Sequence, residues 1–405
     1  MRSTVGAFLA FSLLGACHTT VDSLGYDDSR LRPLTGPASY PNPFHEVLGK
    51  GETEIAGRLA DSFNQLFYGN PNTEAIYFPA GPEQAFILDV LHGDVRTEGI
   101  GYAMIIAVEL DKRDEFDRLW RYAKAATQYP SGPNQGYFLS YCDAASGTVP
   151  CVDPFGLEQF VMALIFAHDR WRSDGAIDYQ ADAWTWLNLM RHKEEQNGGV
   201  VDGVTNTFDA ATKLVFDVPH TSAAGYTRPS VEMPAYYELW SQATGDPFWN
   251  DAAAAARTYW QRSGNPTTGL LPTRATFDGT PVPGSDTFAS EGYRMQLNMV
   301  LDHVWFGAEP WEIDESNRLI GFFAGAGIDS YGRQYTLDGT LLDPLHDPSL
   351  VAVNGATALA ATRSERADFM NATWNLSLPT GPARYYAGLL NMLSFLVLSG
   401  QFRVY

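Results

Sequence analysis

The stretch at residues 94–102, DVRTEGIGY, places one carboxylate among small side chains. Glu98 is flanked by glycine at positions 99 and 101, and the apolar run AMIIAV that follows predicts a buried helix, which Thr97 is placed to cap. Partial burial would raise the pKa of Glu98 and hold it protonated near neutral pH, as a general acid requires. The alternative is an ordinary acidic residue in the first turn of a helix, where the helix dipole favours it.

A second group of polar residues lies at 286–306, DTFASEGYRMQLNMVLDHVWF. Four of them recur at 3-4-4 spacing and therefore share one face of a predicted helix: Glu291, Arg294, Asn298 and Asp302. Such a face is either part of a site or a salt-bridged surface that is exposed to solvent. Glu291 also stands at the start of the helix, where acidic residues are common for local reasons.

Helical periodicity runs from about residue 45 to the C-terminus and predicts one helical toroid at 45–405. The predicted helices are 45–67, 99–110, 114–126, 157–171, 178–191, 233–244, 249–262, 291–306, 311–327, 353–363 and 385–399. Long loops rich in Gly, Pro and Asp separate them at 129–154, 195–229, 265–290 and 329–350, with short strands at 200–204 and 214–218. Loops of this length in a compact domain are usually functional.

Composition restricts the partners. The 405 residues carry a net charge of -20, which makes nucleic acid an unfavourable partner because its phosphates would be repelled. The same charge argues against anionic polymers. Aromatic residues make up 13% of the chain, which suits both a large core and stacking against sugar rings.

The N-terminus resembles an export signal. Arg2 precedes a short apolar run at 6–14 that is too short to span a membrane. Residues 14–17, LGAC, resemble a bacterial lipobox, which predicts a signal peptide at 1–16, lipid anchoring through Cys17 and a tether at 17–44. The alternative is an ordinary signal peptide that is cleaved near Ala16. Either way we expect an exported bacterial protein, anchored to the outer membrane or periplasmic.

The two remaining cysteines, Cys142 and Cys151, lie in one Gly- and Pro-containing segment. In an oxidising compartment such a pair is expected to form a disulfide, which would stabilise the fold by about 2–3 kcal/mol. The eight histidines show no paired ligand spacing, so we expect no metal, and no organic cofactor is required.

The motif at 94–102 is similar to the acid motif of glycoside hydrolase family 8, and the resemblance extends over about residues 43–400. It implies an all-α (α/α)6 barrel that hydrolyses β-1,4-linked xylan, cellulose, chitosan or related glucans with inversion. Glu98 would then be the general acid. Glu291 stands where the family has its base, an aspartate. Arg294 would hold the Glu291 carboxylate ionised and oriented, and Asp286 on the preceding loop is the alternative base.

Several stretches resemble one branch of this family, the reducing-end xylose-releasing exo-oligoxylanases. Among them are NQGYF at 134–138 and MPAYYELW at 233–240. In that branch a Leu-His-Pro loop blocks the cleft past the first subsite on the reducing side. Here residues 344–348, PLHDP, stand in the corresponding place with one Asp inserted. The resemblance implies that His346 contacts the sugar; otherwise it is a surface histidine.

The chain also departs from the family pattern. Glu291 is one methylene longer than the family's base, and Gly292 would allow the backbone to retreat. Phe155 stands where the family has an acidic residue that helps to hold the sugar, and Asp153 either compensates for that loss or is an ordinary turn residue before Pro. Two further acidic positions of the family are occupied by Arg228 and Ala387.

Five aromatic residues are candidates for stacking on sugar faces, although each is more often a core residue: Trp120, Tyr141, Tyr226, Tyr385 and Tyr386. We favour Tyr226 and Tyr386, which have polar or loop neighbours.

The sequence thus predicts a monomeric, inverting glycoside hydrolase that acts on β-linked oligosaccharides, with xylo-oligosaccharides as the favoured substrate. One alternative is a sugar-binding surface lipoprotein with weakened chemistry, motivated by Phe155 and the changed base. Another is a hydrolase of a different β-glycan linkage. Arg228 would then indicate an anionic sugar.

Overall fold

Burial separates the long helices into two classes in the computed structural model, which describes residues 31–144 and 147–405. Six helices are buried around most of their circumference, which places them in an inner ring. They are α3 (Thr97–Glu109), α5 (Pro154–Trp171), α7 (Pro234–Thr244), α9 (Ser290–Trp305), α11 (Pro348–Thr357) and α13 (Tyr386–Leu398). In α5, for example, every residue from 154 to 167 is buried.

Six more helices bury only one face and pack outside the inner ring. They are α2 (Glu52–Tyr68), α4 (Arg113–Tyr122, extended by a π-helical turn at Ala123–Thr127), α6 (Tyr179–Asn197), α8 (Pro247–Ser263), α10 (Pro310–Ala326) and α12 (Arg366–Asn375). A short helix α1 (Pro43–Glu46) precedes them. Outer and inner helices alternate along the chain, and neighbouring inner helices pack against each other. Between α5 and α7 the ring is joined by a 2.7 Å hydrogen bond from the Tyr237 hydroxyl to Glu158. This arrangement is the predicted (α/α)6 barrel.

The connections divide by length. An inner helix passes to the next outer helix through short connections, whereas the return from an outer helix to the next inner helix is longer and exceeds 20 residues everywhere except between α12 and α13. All six inner helices therefore begin at the same end of the barrel, which we call the loop face. The N-termini of the six inner helices, which carry partial positive charge, therefore surround the centre of this face, while the C-termini of the outer helices lie around its rim.

Short strands order the long segments of the loop face. They form the antiparallel pairs β1 (Tyr77–Pro79) with β2 (Ala85–Ile87), β3 (Ser140–Ala144) with β4 (Gly147–Cys151) and β5 (Tyr226–Thr227) with β6 (Ala275–Thr276), and a three-stranded sheet of β7 (Thr287–Phe288), β8 (Gln334–Thr336) and β9 (Leu341–Asp343). The predicted Cys142–Cys151 disulfide is present and closes the β3–β4 hairpin, with the two Cα atoms 5.9 Å apart.

Several local predictions differ from the structure. The helix predicted at 45–67 is divided into α1 and α2, with a break at 47–51. The segments at 200–204 and 214–218 form only isolated bridges, Val201 with Val204, Val204 with His220 and Phe208 with Val215. The helix predicted at 353–363 begins earlier and ends earlier, as α11. Helix α12 was not predicted, because its sequence RADFMNATWN has only four buried residues to set a period.

The predicted lead-in is described from residue 31 onward. The Arg32 amide donates to the carbonyl of Ala243 at 2.8 Å, and Phe44 is fully buried. The signal peptide at 1–16, the anchor at Cys17 and the tether before residue 31 lie outside the described residues and stay predictions. Within residues 31–144 and 147–405, no helix has both the length and the apolar character that crossing a membrane requires.

Candidate active site

The candidate acid is held by close contact between α3 and α5. Glu98 is the second residue of α3, and a side chain at Gly156 of α5 would collide with Thr97. The prediction that Thr97 caps α3 is wrong, because Arg96 is the capping residue and makes no side-chain capping bond. Instead, Ser140 at the start of β3 accepts a 3.1 Å hydrogen bond from the Thr97 amide. The hairpin thus satisfies the helix end that carries Glu98.

The Glu98 carboxyl is largely enclosed, with 14% of its side chain exposed. Its Oε2 atom accepts a hydrogen bond from Nη1 of Arg294, and the Tyr385 hydroxyl lies 3.4 Å from Oε1. Burial raises the pKa of Glu98, Arg294 opposes the rise, and the negative charges of Asp153 and Glu291 add to it. The direction is the one that a general acid needs.

The surroundings of the candidate base shift its pKa in the opposite direction. Glu291, the second residue of α9, accepts hydrogen bonds at Oε2 from Nη2 of Arg294 and, at 2.6 Å, from the Ser230 hydroxyl. Nη1 of Arg228 lies 3.6 Å from the same oxygen. Burial alone would raise the pKa of Glu291, but the guanidinium groups of Arg294 and Arg228 outweigh it and lower the pKa to about 2.

Arg294 therefore stands between two carboxyl groups of opposite character, with one terminal nitrogen on each. Its guanidinium carbon lies 4.6 Å from the centre of the Phe155 ring, which is fully buried and packs edge-on against Tyr102. Phe155 thus supports Arg294 through a cation–π contact, at the position where the resemblance led us to expect an acidic residue.

Arg228 is the second positive centre; the sequence indicated it only as a possible contact for an anionic sugar, not as a partner of Glu291. Arg228 immediately precedes a 3-10 turn (Pro229–Val231) and is 8% exposed. Its Nη2 lies 2.9 Å from Asp153, and its Nε lies 2.8 Å from Asp217. Asp153 lies beside the two candidate carboxyl groups through its ion pair with Arg228, and its contact with a sugar stays a prediction. Because internal carboxylates neutralise Arg228, the idea that it receives an anionic sugar loses its basis.

The charges of this cluster balance when Glu98 is protonated. Arg274 adds a third guanidinium, 3.1 Å from Asp217. Counted at formal charges, these three guanidinium groups equal in number the carboxylates of Asp153, Asp217 and Glu291. Ionising Glu98 would add a further negative charge to a partly dry site, which agrees with the upward direction of its pKa shift.

The five predicted stacking residues separate into three groups. Trp120 is 1% exposed, donates to Asp182 at 2.7 Å and packs against Trp186 in the core, so its ring is not available to a sugar. Tyr385 is 3% exposed, and its hydroxyl contacts the Glu98 carboxyl group, so its ring offers no stacking surface. Its ring fits there because Gly99 has no side chain.

The other three tyrosines remain partly exposed on the loop face. Tyr386 donates to the carbonyl of Ser290 at 2.6 Å, next to Glu291. Tyr141 lies on β3 opposite Pro150, and Tyr226 lies on β5 opposite Thr276. Of the five candidates, these three keep a partly exposed ring that a bound sugar could contact.

The loop at 344–348 lies between β9 and α11. His346 contacts the Tyr331 carbonyl through Nδ1 at 2.9 Å and lines a groove of about 710 Å³ that α12 borders. The preceding strand β9 pairs with β8, and β8 pairs with β7, which leads into α9. The Tyr293 hydroxyl of α9 also donates to the Arg333 carbonyl at 2.6 Å. The loop is thereby tied to the helix of Glu291. Asp286, the alternative base, is exposed on its loop and makes no contact with either arginine in the described part of the chain.

Gly292 has a different role from the one predicted. It lies within α9, and a Cβ atom there would meet the Phe288 ring at 2.5 Å. The residue makes room for an aromatic neighbour, and no unusual backbone conformation is involved. Of the residues that build the site, Ser230, Asp217 and Arg274 were missed. Their signal was weak, since each lies in a long connection that offers no periodicity.

Two largely enclosed carboxyl groups with opposite pKa shifts, at the loop face of an (α/α)6 barrel, are the machinery of a glycoside hydrolase. The comparisons with known proteins agree. The sequence model of the glycosyl hydrolases family 8 matches residues 92–400, and the chain belongs to this family.

Similar proteins share nearly the whole chain. The reducing-end xylose-releasing exo-oligoxylanase Rex8A of Paenibacillus barcinonensis is 37% identical over 388 residues, which cover 92% of this chain and 100% of the relative. Its structure with xylose superimposes with a TM-score of 0.83 and 37% identity over 91% of this chain and 98% of that one. A xylobiose complex from Teredinibacter turnerae gives a TM-score of 0.84 at 32% identity, over 90% and 98%.

Proposed function

We propose that this hydrolase cleaves β-1,4-linked xylo-oligosaccharides with inversion and releases xylose from the reducing end. The observation that carries the chemistry is that Arg294 contacts both Glu98 and Glu291, in surroundings that raise the pKa of Glu98 and lower that of Glu291. The substrate is argued from the similar enzymes, whose names specify reducing-end xylose release, and from the loop that carries His346 beside the base helix.

Glu98 acts as the general acid. Because its Oε2 accepts from Arg294, the proton resides on Oε1, the oxygen beside the Tyr385 hydroxyl. In the reaction Glu98 passes this proton to the glycosidic oxygen as the bond to the anomeric carbon breaks. The released xylose therefore leaves as a neutral alcohol.

Glu291 acts as the general base. Its partners in the described residues all contact Oε2, which leaves Oε1 free to take a proton from water. The water attacks the anomeric carbon on the face opposite the leaving group, so the configuration inverts. The products hold one new C–O bond in place of the broken one, Glu98 ends ionised and Glu291 ends protonated.

The two pKa shifts define the pH range of this reaction. The lowered pKa of Glu291, about 2, keeps the base ionised in all but strong acid. The raised pKa of Glu98 keeps the acid protonated above the usual range of a carboxyl group. Activity is therefore expected between these two limits, with the alkaline limit set by Glu98.

A product analysis tests the proposal. The purified protein is incubated with xylotetraose and with its reduced alditol, and products are separated while NMR follows the anomers. We expect xylose and xylotriose from the unreduced sugar, an α-anomer formed first at the new reducing end, and no cleavage of the alditol. Cleavage at internal bonds of long xylan would contradict the exo assignment, and a β-anomer formed first would contradict inversion.

A further inference from the structure

A glutamate that acts as a base needs its carboxylate fixed, because its side chain has three rotatable bonds and a catalytic group has to be held to about 0.5 Å. Arg294 cannot do this alone. It is shared with Glu98, which changes its charge during the reaction, so the hold of Arg294 on Glu291 changes as well. Arg228 and Ser230 contact Glu291 but not Glu98.

The segment that carries these two residues is rigidly mounted. Indole Nε1 of Trp260 donates to the Pro229 carbonyl, and Nδ2 of Asn298 donates to the Ser230 carbonyl, both at 2.9 Å. Asn298 lies on α9, as Glu291 does. The 3-10 turn is therefore fixed directly to the helix that bears the base.

The Arg228 guanidinium is fixed as well. Asp153 from the start of α5 and Asp217 from the long connection before α7 hold it from two sides. Only Nη1 then remains directed at Glu291, 3.6 Å from Oε2. A guanidinium locked by two carboxylates is a fixed positive charge rather than a mobile side chain.

We propose that Arg228 and Ser230 are positioning residues for the base, which hold Oε2 of Glu291 so that Oε1 faces the attacking water. This inference rests on the proposed role of Glu291 as base. It assigns the buried Asp153–Arg228–Asp217 cluster to positioning the base rather than to binding sugar.

The charges around Glu291 determine the expected pH effect. Arg228 comes from the 3-10 turn, Arg294 from its own helix and Glu98 from α3, while the neutral hydroxyls of Tyr102 and Tyr386 face it from α3 and α13. Two of these groups are cations. Removing Arg228 leaves Arg294 as the remaining cation among these groups that stabilises the ionised form of Glu291, so the acid limb of kcat should move upward.

The test is a double-mutant cycle on xylotetraose hydrolysis. Ser230→Ala removes one hydroxyl and is expected to lower kcat about tenfold with KM unchanged within about twofold, since a hydrogen bond to a charged group is at stake. In a Glu291→Asp background the carboxylate withdraws by about 1.5 Å, one C–C bond, beyond the reach of Ser230. There Ser230→Ala should change kcat less than about twofold.

A second measurement tests Arg228. Its removal would leave the buried carboxylates of Asp153 and Asp217 without this ion-pair partner. Arg228→Gln should raise the acid limb of kcat by about one pH unit or more. Arg257→Gln is the matched control. Arg257 is 7% exposed and donates hydrogen bonds of 2.7 Å to Asp302 and 2.8 Å to Glu238, and neither carboxylate contacts Glu98 or Glu291 in the described residues. Arg257→Gln should lower the melting temperature in the same way and leave the acid limb in place.

The outcomes separate the inference from the function on which it rests. An equal loss from Ser230→Ala in both backgrounds, a change in KM alone, or an unmoved acid limb in Arg228→Gln would overturn the positioning role. Glu291→Gln tests the base itself. If Glu291→Gln is inactive while Ser230→Ala and Arg228→Gln behave as wild type, only the positioning role fails; if Glu291→Gln stays active, the base assignment fails too.

Discussion

Glu98→Gln is the most direct test of the acid. Glutamine has the shape of the protonated carboxyl group, so its carbonyl oxygen still accepts from Arg294 and the contact with Tyr385 is retained. What it lacks is a proton to donate. The variant should therefore fold as the wild type does and bind the sugar with an unchanged KM.

The expected loss follows from the leaving group. A xylose unit is a poor leaving group without a proton, and a positioned acid contributes about 10²–10⁴-fold in rate, which corresponds to about 3–5.5 kcal/mol of the barrier. The enclosed position of Glu98 favours the upper part of this range, since little solvent can replace the missing donor. We therefore expect kcat on xylotetraose to fall by about 10³–10⁴-fold.

The assay compares two substrates. Fluoride leaves without strong protonation, so hydrolysis of β-xylobiosyl fluoride should fall less than about tenfold in Glu98→Gln while xylotetraose hydrolysis nearly stops. Glu109→Gln is the control, because Glu109 is a buried carboxyl group at the opposite end of the same helix. A loss below about tenfold on xylotetraose, or an equal loss on both substrates, would refute the acid assignment.

Two stability predictions follow from other parts of the fold. Burial raises the pKa of Glu109 to about 8 from an ordinary value of 4.5, so the folded state retains a proton that the unfolded chain releases between these values, and stability falls as pH rises through that window. Glu109→Gln should remove this fall, as melting temperatures at pH 5 and pH 8 would reveal, and an unchanged slope would contradict it. Replacing Cys142 and Cys151 by serine should cost about 2–3 kcal/mol in urea unfolding, and no loss would mean that the hairpin is held by other contacts.

The sequence was most informative where the signal is local. The acid motif contains the carboxylate, the glycine at 99 that admits Tyr385 and the apolar run that buries the helix, all within one short stretch. Apolar periodicity likewise located most inner and outer helices, because each buries a face that recurs every three to four residues. The disulfide could be predicted because its two cysteines are close in the chain.

Residues that meet only through the fold were harder to find. Asp153, Asp217 and Arg228 come from two separate connections, and their pairing depends on how long loops pass across the loop face. Trp120 shows the converse error, since the sequence suggested a contact with sugar that the fold does not allow. An aromatic residue on an amphipathic helix has the same sequence pattern whether it faces a ligand or the core, and here it faces the core.

The departures at 155 and 228 make physical sense together. Phenylalanine at 155 removes a negative charge beside Arg294 and supports the guanidinium with its ring, while arginine at 228 adds a positive charge that Asp153 and Asp217 hold. With Arg274 included, the formal charges of the cluster still balance. The electrostatic difference that raises the pKa of Glu98 and lowers that of Glu291 is therefore compatible with the residues at 155 and 228. A neutral, hydrogen-bonding site has no surplus charge with which to attract a uronate or a sulfated sugar, which is in keeping with the proposed uncharged xylo-oligosaccharide.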